Sequence, residues 1–144
     1  MQCQRDTILY LTSRRNAIDT NLCQHILHAS YRFLWASSID DAWIKASYHD
    51  VKLVLIDSNL YGIKGIDVAK ILKRNYPEIG IIILTAFEEY SPDLIKLDEG
   101  VLFFLKPYNA AEVVKAIRYL IKKQHTYNFS QYEVPVLRQS LSFN

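Results

Sequence analysis

Short apolar runs alternate along this chain with stretches of helical period, and the connections between them are brief. Thr7-Ile8-Leu9-Tyr10-Leu11 has no polar alternation, as expected of a strand buried on both faces. Ile18, Leu22 and Ile26 then recur every four residues and predict an amphipathic helix over 15–29. Tyr31 to Ala36 reads as a second strand. Ser38-Ile39-Asp40-Asp41 supplies a serine N-cap with an acid three residues on, opening a helix that runs to about Tyr48. Leu53 to Ile56 is a third strand, halted by Asp57. Gly65 leads into Ile66, Val68, Ala69, Ile71 and Leu72, a helix that must end before Pro77. Ile79 to Leu84 is a fourth strand, followed by Thr85-Ala86-Phe87. Ser91-Pro92-Asp93 places serine at the N-cap, proline at N1 and an acid in the first turn of a short helix closed by Gly100. Val101 to Leu105 is a fifth strand, ending at Lys106-Pro107. Asn109 caps a last helix whose apolar positions Val113, Val114, Ile117, Leu120 and Ile121 form one stripe.

Five strands alternating with five helices predict an α/β fold, a parallel sheet covered on both faces. Right-handed crossovers favour the flavodoxin-like strand order 2-1-3-4-5. That order gathers Thr12, Ser13, Asp57, Thr85 and Lys106 at the carboxyl edge, where open sheets of this kind place their chemistry. The domain is expected over 1–123. From Gln124 to Asn144 the periodicity fails, and Pro135 with scattered aromatics suggests a linker or terminal extension. Tyr127, Phe129, Tyr132, Val136, Leu137 and Phe143 make that stretch too apolar for a purely solvated tail.

Composition narrows this picture only a little. The 144 residues suit one domain whose core needs no disulfide or structural metal. A formal charge of +2 gives no argument for nucleic acid. The polar start Met1-Gln2-Cys3-Gln4 is not that of a signal peptide, and no run approaches a membrane span. A cytoplasmic location with free thiols is expected. Cys3 and Cys23 lack metal spacing, and Cys23 is expected to pack on its helix.

Asp57, at the end of a buried strand, is either a turn-starting acid or a chemical group. Two further stretches favour chemistry. Asp57 with Asn59-Leu60 and Gly62-Ile63-Lys64-Gly65, then Ile82-Ile83-Leu84-Thr85-Ala86, then Phe103-Phe104-Leu105-Lys106-Pro107 together resemble the receiver domain of bacterial response regulators. The resemblance covers about 7–123. It implies that Asp57 accepts a phosphoryl group from a histidine kinase, or from a phosphotransfer protein. It implies that Thr85 and Lys106 contact that group, that Phe103 changes rotamer on activation, and that the Lys106–Pro107 bond is cis. An ammonium and a hydroxyl are suited to neutralise phosphoryl oxygens. Core packing of Phe103 and a local backbone bond for Thr85 stay open as plainer readings.

The family's first strand normally ends in two acids that hold Mg²⁺ together with the strand-3 aspartate. Here those positions fall on Thr12 and Ser13, followed by Arg14 and Arg15. Asp19 is expected inside the helix, out of reach. Mg²⁺ selects several hard oxygens, and Asp57 with a carbonyl near Asn59 is a thin site for it. The expectation is therefore a signalling switch, not an enzyme, whose metal is weak or absent. A phosphorylation-independent interaction module is the alternative. A phosphatase with Asp57 as nucleophile is more remote, because Asn59 stands where a second acid would be needed. No Gly-rich loop follows the first strand to suggest a flavodoxin-like cofactor. The resemblance places partner or homodimer contacts on the surface made by the fourth helix, fifth strand and fifth helix. Nucleic acid would be met only through an output domain elsewhere.

Overall fold

The computed structural model describes residues 5–13, 19–57, 64–86 and 100–133, with side chains of the last helix described as far as Gln124. Five strands, β1 (Thr7–Leu11), β2 (Arg32–Ala36), β3 (Val51–Asp57), β4 (Gly80–Thr85) and β5 (Val101–Leu105), form one sheet in the order β2-β1-β3-β4-β5. Every neighbouring pair is parallel. Four helices are described: α1 (Thr20–His28), α2 (Ile39–Tyr48), α3 (Gly65–Asn75) and α4 (Ala110–Glu133). This is the flavodoxin-like order expected from the alternation of strands and helices. The helix expected between Ser91 and Gly100 lies outside the described residues.

The unbroken apolar strands are explained by two separate cores. Ile8, Tyr10, Leu53, Leu55, Ile82 and Leu84 face α1 and α4, meeting Leu22, Ile26, Val113, Ile117 and Leu120. The alternate residues Leu9, Leu11, Val54, Ile56, Ile81 and Ile83 meet Ala42, Val68, Ala69 and Leu72 of α2 and α3. Both faces of the central strands are thus removed from water, each buried Leu or Ile contributing roughly 1.5–3 kcal/mol. The edge strand β5 is only partly covered, and Leu105 at its end is exposed.

Local chemistry sets the helix ends. Ser38 Oγ accepts the Asp41 amide at 3.1 Å, and the Asp41 carboxylate accepts the Ser37 amide at 3.0 Å, a shifted form of the reciprocal cap. Asn109 Oδ1 accepts the amides of Ala111 and Glu112. Two boundaries differ from the sequence expectation. Asp19 is not inside α1 but caps it, with extended backbone and a carboxylate that accepts the Leu22 amide at 3.1 Å. A short acceptor placed before the first buried leucine satisfies an otherwise orphaned N–H, and that outweighs the four-residue period continued back to Ile18. At the other end α4 runs past 123 to Glu133. Neither Pro nor Gly interrupts 124–133, so a helix already nucleated continues cheaply even without an apolar stripe.

Gln124 is itself built into the domain. Its side-chain amide donates to the Lys52 carbonyl at 2.8 Å. Just beneath it α4 comes so close to β4 that a Cβ on Gly80 would lie 3.1 Å from Leu53 Cδ1, 3.2 Å from Leu120 Cβ and 3.3 Å from Gln124 Nε2.

Candidate functional site

Strand register assembles the carboxyl edge. Leu11 pairs with Ile56, so Thr12 and Asp57 are the next residues on adjacent strands. Asp57 itself pairs with Leu84, and Thr85 pairs with Leu105. The Lys106 amide then donates to the Thr85 carbonyl at 2.8 Å, extending the ladder by one residue. Thr12, Asp57, Thr85 and Lys106 therefore sit at the same edge of four consecutive strands, β1-β3-β4-β5. Residues 14–18, 58–63 and 87–99 lie outside the described residues, and with them Arg14, Arg15 and Asn59.

Asp57 is nearly buried, its side chain 7 % exposed, while the Lys106 side chain is 32 % exposed. The Lys106 ammonium donates to Asp57 Oδ1 at 2.9 Å. A carboxylate removed from most of its water is costly unless paired and hydrogen-bonded, and Lys106 provides that compensation. The Lys106–Pro107 peptide is cis. Thr85 is buried and donates its hydroxyl to the Ala86 carbonyl at 3.2 Å, the local bond left open by the sequence. Phe103 is half-buried against the core that also holds Ile81 and Ile83.

On the β1 side the groups are neutral. Thr12 is buried and its amide donates to the Ala36 carbonyl at 3.0 Å, while Ser13 is half-buried. Among the described residues no group of three or more His, Cys, Asp or Glu side chains gathers in a way that could hold a metal ion. Among the described residues the donors at the strand ends are one carboxylate, already paired with an ammonium, and neutral hydroxyls. That set does not fit Mg²⁺, which is held by carboxylates and keeps several waters.

The sequence reading missed a second layer beneath this edge. Tyr108, two residues after Lys106, donates its hydroxyl to Asp19 Oδ2 at 2.7 Å. Tyr10, 1 % exposed, stacks edge-on against Phe33 in the core that Tyr108 also packs against. Burial, reinforced by the Asp57 charge, pushes the Tyr10 phenol up to about 12. Tyr108 is also raised, by burial and by its bond to Asp19. Cys23, on α1, packs against the same core as expected, and burial followed by the Asp19 charge lifts its thiol to about 11. The signal for this layer was the polar triplet Asp19-Thr20-Asn21 before Leu22, a helix-start pattern, together with a tyrosine inside an otherwise aliphatic strand.

Comparison with known proteins agrees with the geometry. The model of the response regulator receiver domain matches residues 15–118, and the chain belongs to that family. Among curated relatives, the response regulator GtcR of Aneurinibacillus migulanus is 30% identical over 100 residues, covering 69% of this chain and 41% of that protein. The hydrogenase transcriptional regulatory protein HoxA of Cupriavidus necator is 22% identical over 151 residues, covering 99% of this chain and 31% of that protein. The chain thus spans less than half the length of these relatives. Among solved structures, a CheY-like receiver domain from Methanospirillum hungatei superposes with a TM-score of 0.72 at 19% identity, covering 85% of this chain and 98% of that one. The receiver domain of a Luxo repressor protein from Vibrio parahaemolyticus gives 0.72 at 21% identity, covering 88% and 97%. At these identities the two structures speak for the fold.

Proposed function

We propose that this chain is a cytoplasmic signalling switch of two-component type in which Asp57 accepts a phosphoryl group with little help from a metal. The observation that carries this reading is the nearly buried Asp57 carboxylate at the end of β3, held 2.9 Å from Lys106. One Asp57 oxygen attacks phosphorus, the bond to the donor's imidazole nitrogen or other leaving group breaks, and the departing group takes up a proton. Lys106 then turns from the carboxylate to the new phosphoryl oxygens, and the Thr85 hydroxyl exchanges Ala86 for the same oxygens. Electrostatic stabilisation of this kind supplies much of the catalysis of phosphoryl transfer. The donor is a sensor histidine kinase or a phosphotransfer protein. Leu105 on β5 and Tyr119 on α4, both exposed, offer apolar contact to a partner or a second copy.

Thr12 and Ser13 at the end of β1 favour a second reading, an interaction module that works without phosphorylation. Intact-mass measurement after incubation with phosphoramidate, with and without Mg²⁺, separates the two. Gain of one phosphoryl group, lost in Asp57→Asn, is expected on the first reading. An unmodified mass under both conditions leaves only the second.

A further inference from the structure

Lys106 is fixed from one side by β4, through its amide bond to the Thr85 carbonyl. Beyond it the chain leaves the sheet, and only Pro107 separates it from Tyr108. The next restraint on that connection is the Tyr108 hydroxyl, which reaches across 89 positions of sequence to Asp19. Asp19 uses both its oxygens, Oδ1 to accept the Leu22 amide and Oδ2 to accept Tyr108. Tyr10 closes the layer from below: it is buried, held against Phe33, part of the core that Tyr108 packs against and within the field of Asp57. The start of α1 is therefore tied to the segment that carries the ammonium facing Asp57.

From this arrangement we infer that Asp19 and Tyr108 are positioning residues: their hydrogen bond anchors the Lys106–Tyr108 connection to the first turn of α1 and so holds Lys106 against Asp57. The physical ground is that a hydroxyl bonded to a carboxylate is among the shorter and stronger neutral-to-charged bonds. A lysine ammonium, by contrast, rides on a flexible four-carbon stem and has its position set by its backbone. The inference deepens the proposed role of Asp57 and Lys106 in phosphoryl acceptance. Its structural content, that Tyr108 holds the ion pair, can be measured without any phosphoryl transfer.

The test uses the full chain with isotope-labelled lysine. In the wild type the ion-paired Lys106 ammonium is expected to give a slowly exchanging NMR signal, assigned by its loss in Lys106→Met, and absence of that signal in the wild type overturns the inference. Tyr108→Phe removes only the hydroxyl. Asp19→Asn weakens the bond to Tyr108 while keeping a good helix cap, and it guards against a Tyr108→Phe protein that does not fold. Both variants are expected to speed exchange of the Lys106 ammonium at least several-fold. Both should slow modification by phosphoramidate by a similar factor, an effect absent when Tyr108→Phe is made on top of Lys106→Met. An unchanged Lys106 signal in the folded variants overturns the inference. So does a slowed modification that persists undiminished in the Lys106→Met background. A changed signal in a protein that phosphoramidate never modifies supports the positioning role and removes the phosphoacceptor reading instead.

Discussion

The end of β1 and the ends of β3 and β5 belong to one sheet edge, yet they are built on opposite electrostatic terms. At β3 and β5 a nearly buried carboxylate meets an ammonium at 2.9 Å. At β1 a buried threonine and a half-buried serine offer hydroxyls and no charge. An edge with acids at β1 as well would crowd like charges together and depend on a cation for relief. Among the described residues the charge at this edge is compensated by the Asp57–Lys106 pair. Fold and register hold here with neutral residues at the end of β1, because strand pairing depends on the backbone and the two cores beneath, not on the residues that cross the rim.

Breaking the charged side should have the largest effect. Lys106→Met takes the ammonium away from the nearly buried Asp57, and loss of one member of such a pair costs about 3 kcal/mol. Asp57→Asn leaves an ammonium that is a third exposed and can turn to water, so it should cost about 1 kcal/mol or less. Urea denaturation of the two variants checks the asymmetry; equal costs would mean that Asp57 is better solvated than its burial indicates.

Making the two sides alike is the next step down. Thr12→Asp with Ser13→Asp should destabilise the metal-free protein by about 2 kcal/mol through carboxylate crowding. It should also create a Mg²⁺ site measurable by calorimetric titration and speed modification of Asp57 by phosphoramidate. A folded double variant that neither binds Mg²⁺ nor gains a phosphoryl group would show that these positions do not face Asp57.

A smaller effect is expected from the layer below. Tyr10 is raised from 10 to about 12 in the folded chain. Its stabilising contribution is thus complete below pH 10, declines as the unfolded chain ionises, and is lost as pH rises through about 12. Tyrosinate absorbance should show Tyr10 and Tyr108 ionising after the exposed tyrosines, and Tyr10→Phe should flatten the loss of stability in that window. Titration of all the tyrosines as one group would contradict the buried arrangement.

The smallest effect is the one expected of the unaltered chain with metal. Melting curves in millimolar Mg²⁺ and in chelator should agree to within about 1 °C, because a ligand stabilises only as its concentration exceeds its Kd. A rise of several degrees would reveal a cation site that the described residues do not show.

Most of the architecture was legible because it rests on strong, repeated signals. The apolar runs at Ile8–Leu11, Leu53–Ile56 and Ile81–Leu84 have no other use than strands buried on both faces, and Ser38 and Asn109 carry their capping chemistry in their side chains. That Asp57 and Lys106 share one edge followed from strand order, and their choice as a pair from the receiver-domain resemblance. What escaped was long-range and side-chain-specific. No local pattern says that Tyr108 reaches Asp19, and the recurrence of Ile18, Leu22 and Ile26 concealed the cap between the first two. The end of α4 escaped for the opposite reason. Beyond Gln124 the residues lack an apolar stripe, so helix there is an extension of what precedes it and leaves no signature of its own.

That extension gives the molecule a pointer. Twenty-four residues of α4 span about 36 Å, and the stretch from Gln124 to Glu133 accounts for about 14 Å of it. The helix is seated where Leu120 and Gln124 crowd Gly80, a pivot at which an added methyl group would need its neighbours to give by a few tenths of an ångström. Its near end begins at Asn109, three residues after Lys106. The arm from that pivot back to Ala110 is about 21 Å and the arm on to Glu133 about 14 Å, so a tilt of ten degrees would carry Glu133 through roughly 2 Å, and a readjustment at the ammonium would be read out, reversed in direction, at the far tip of the helix.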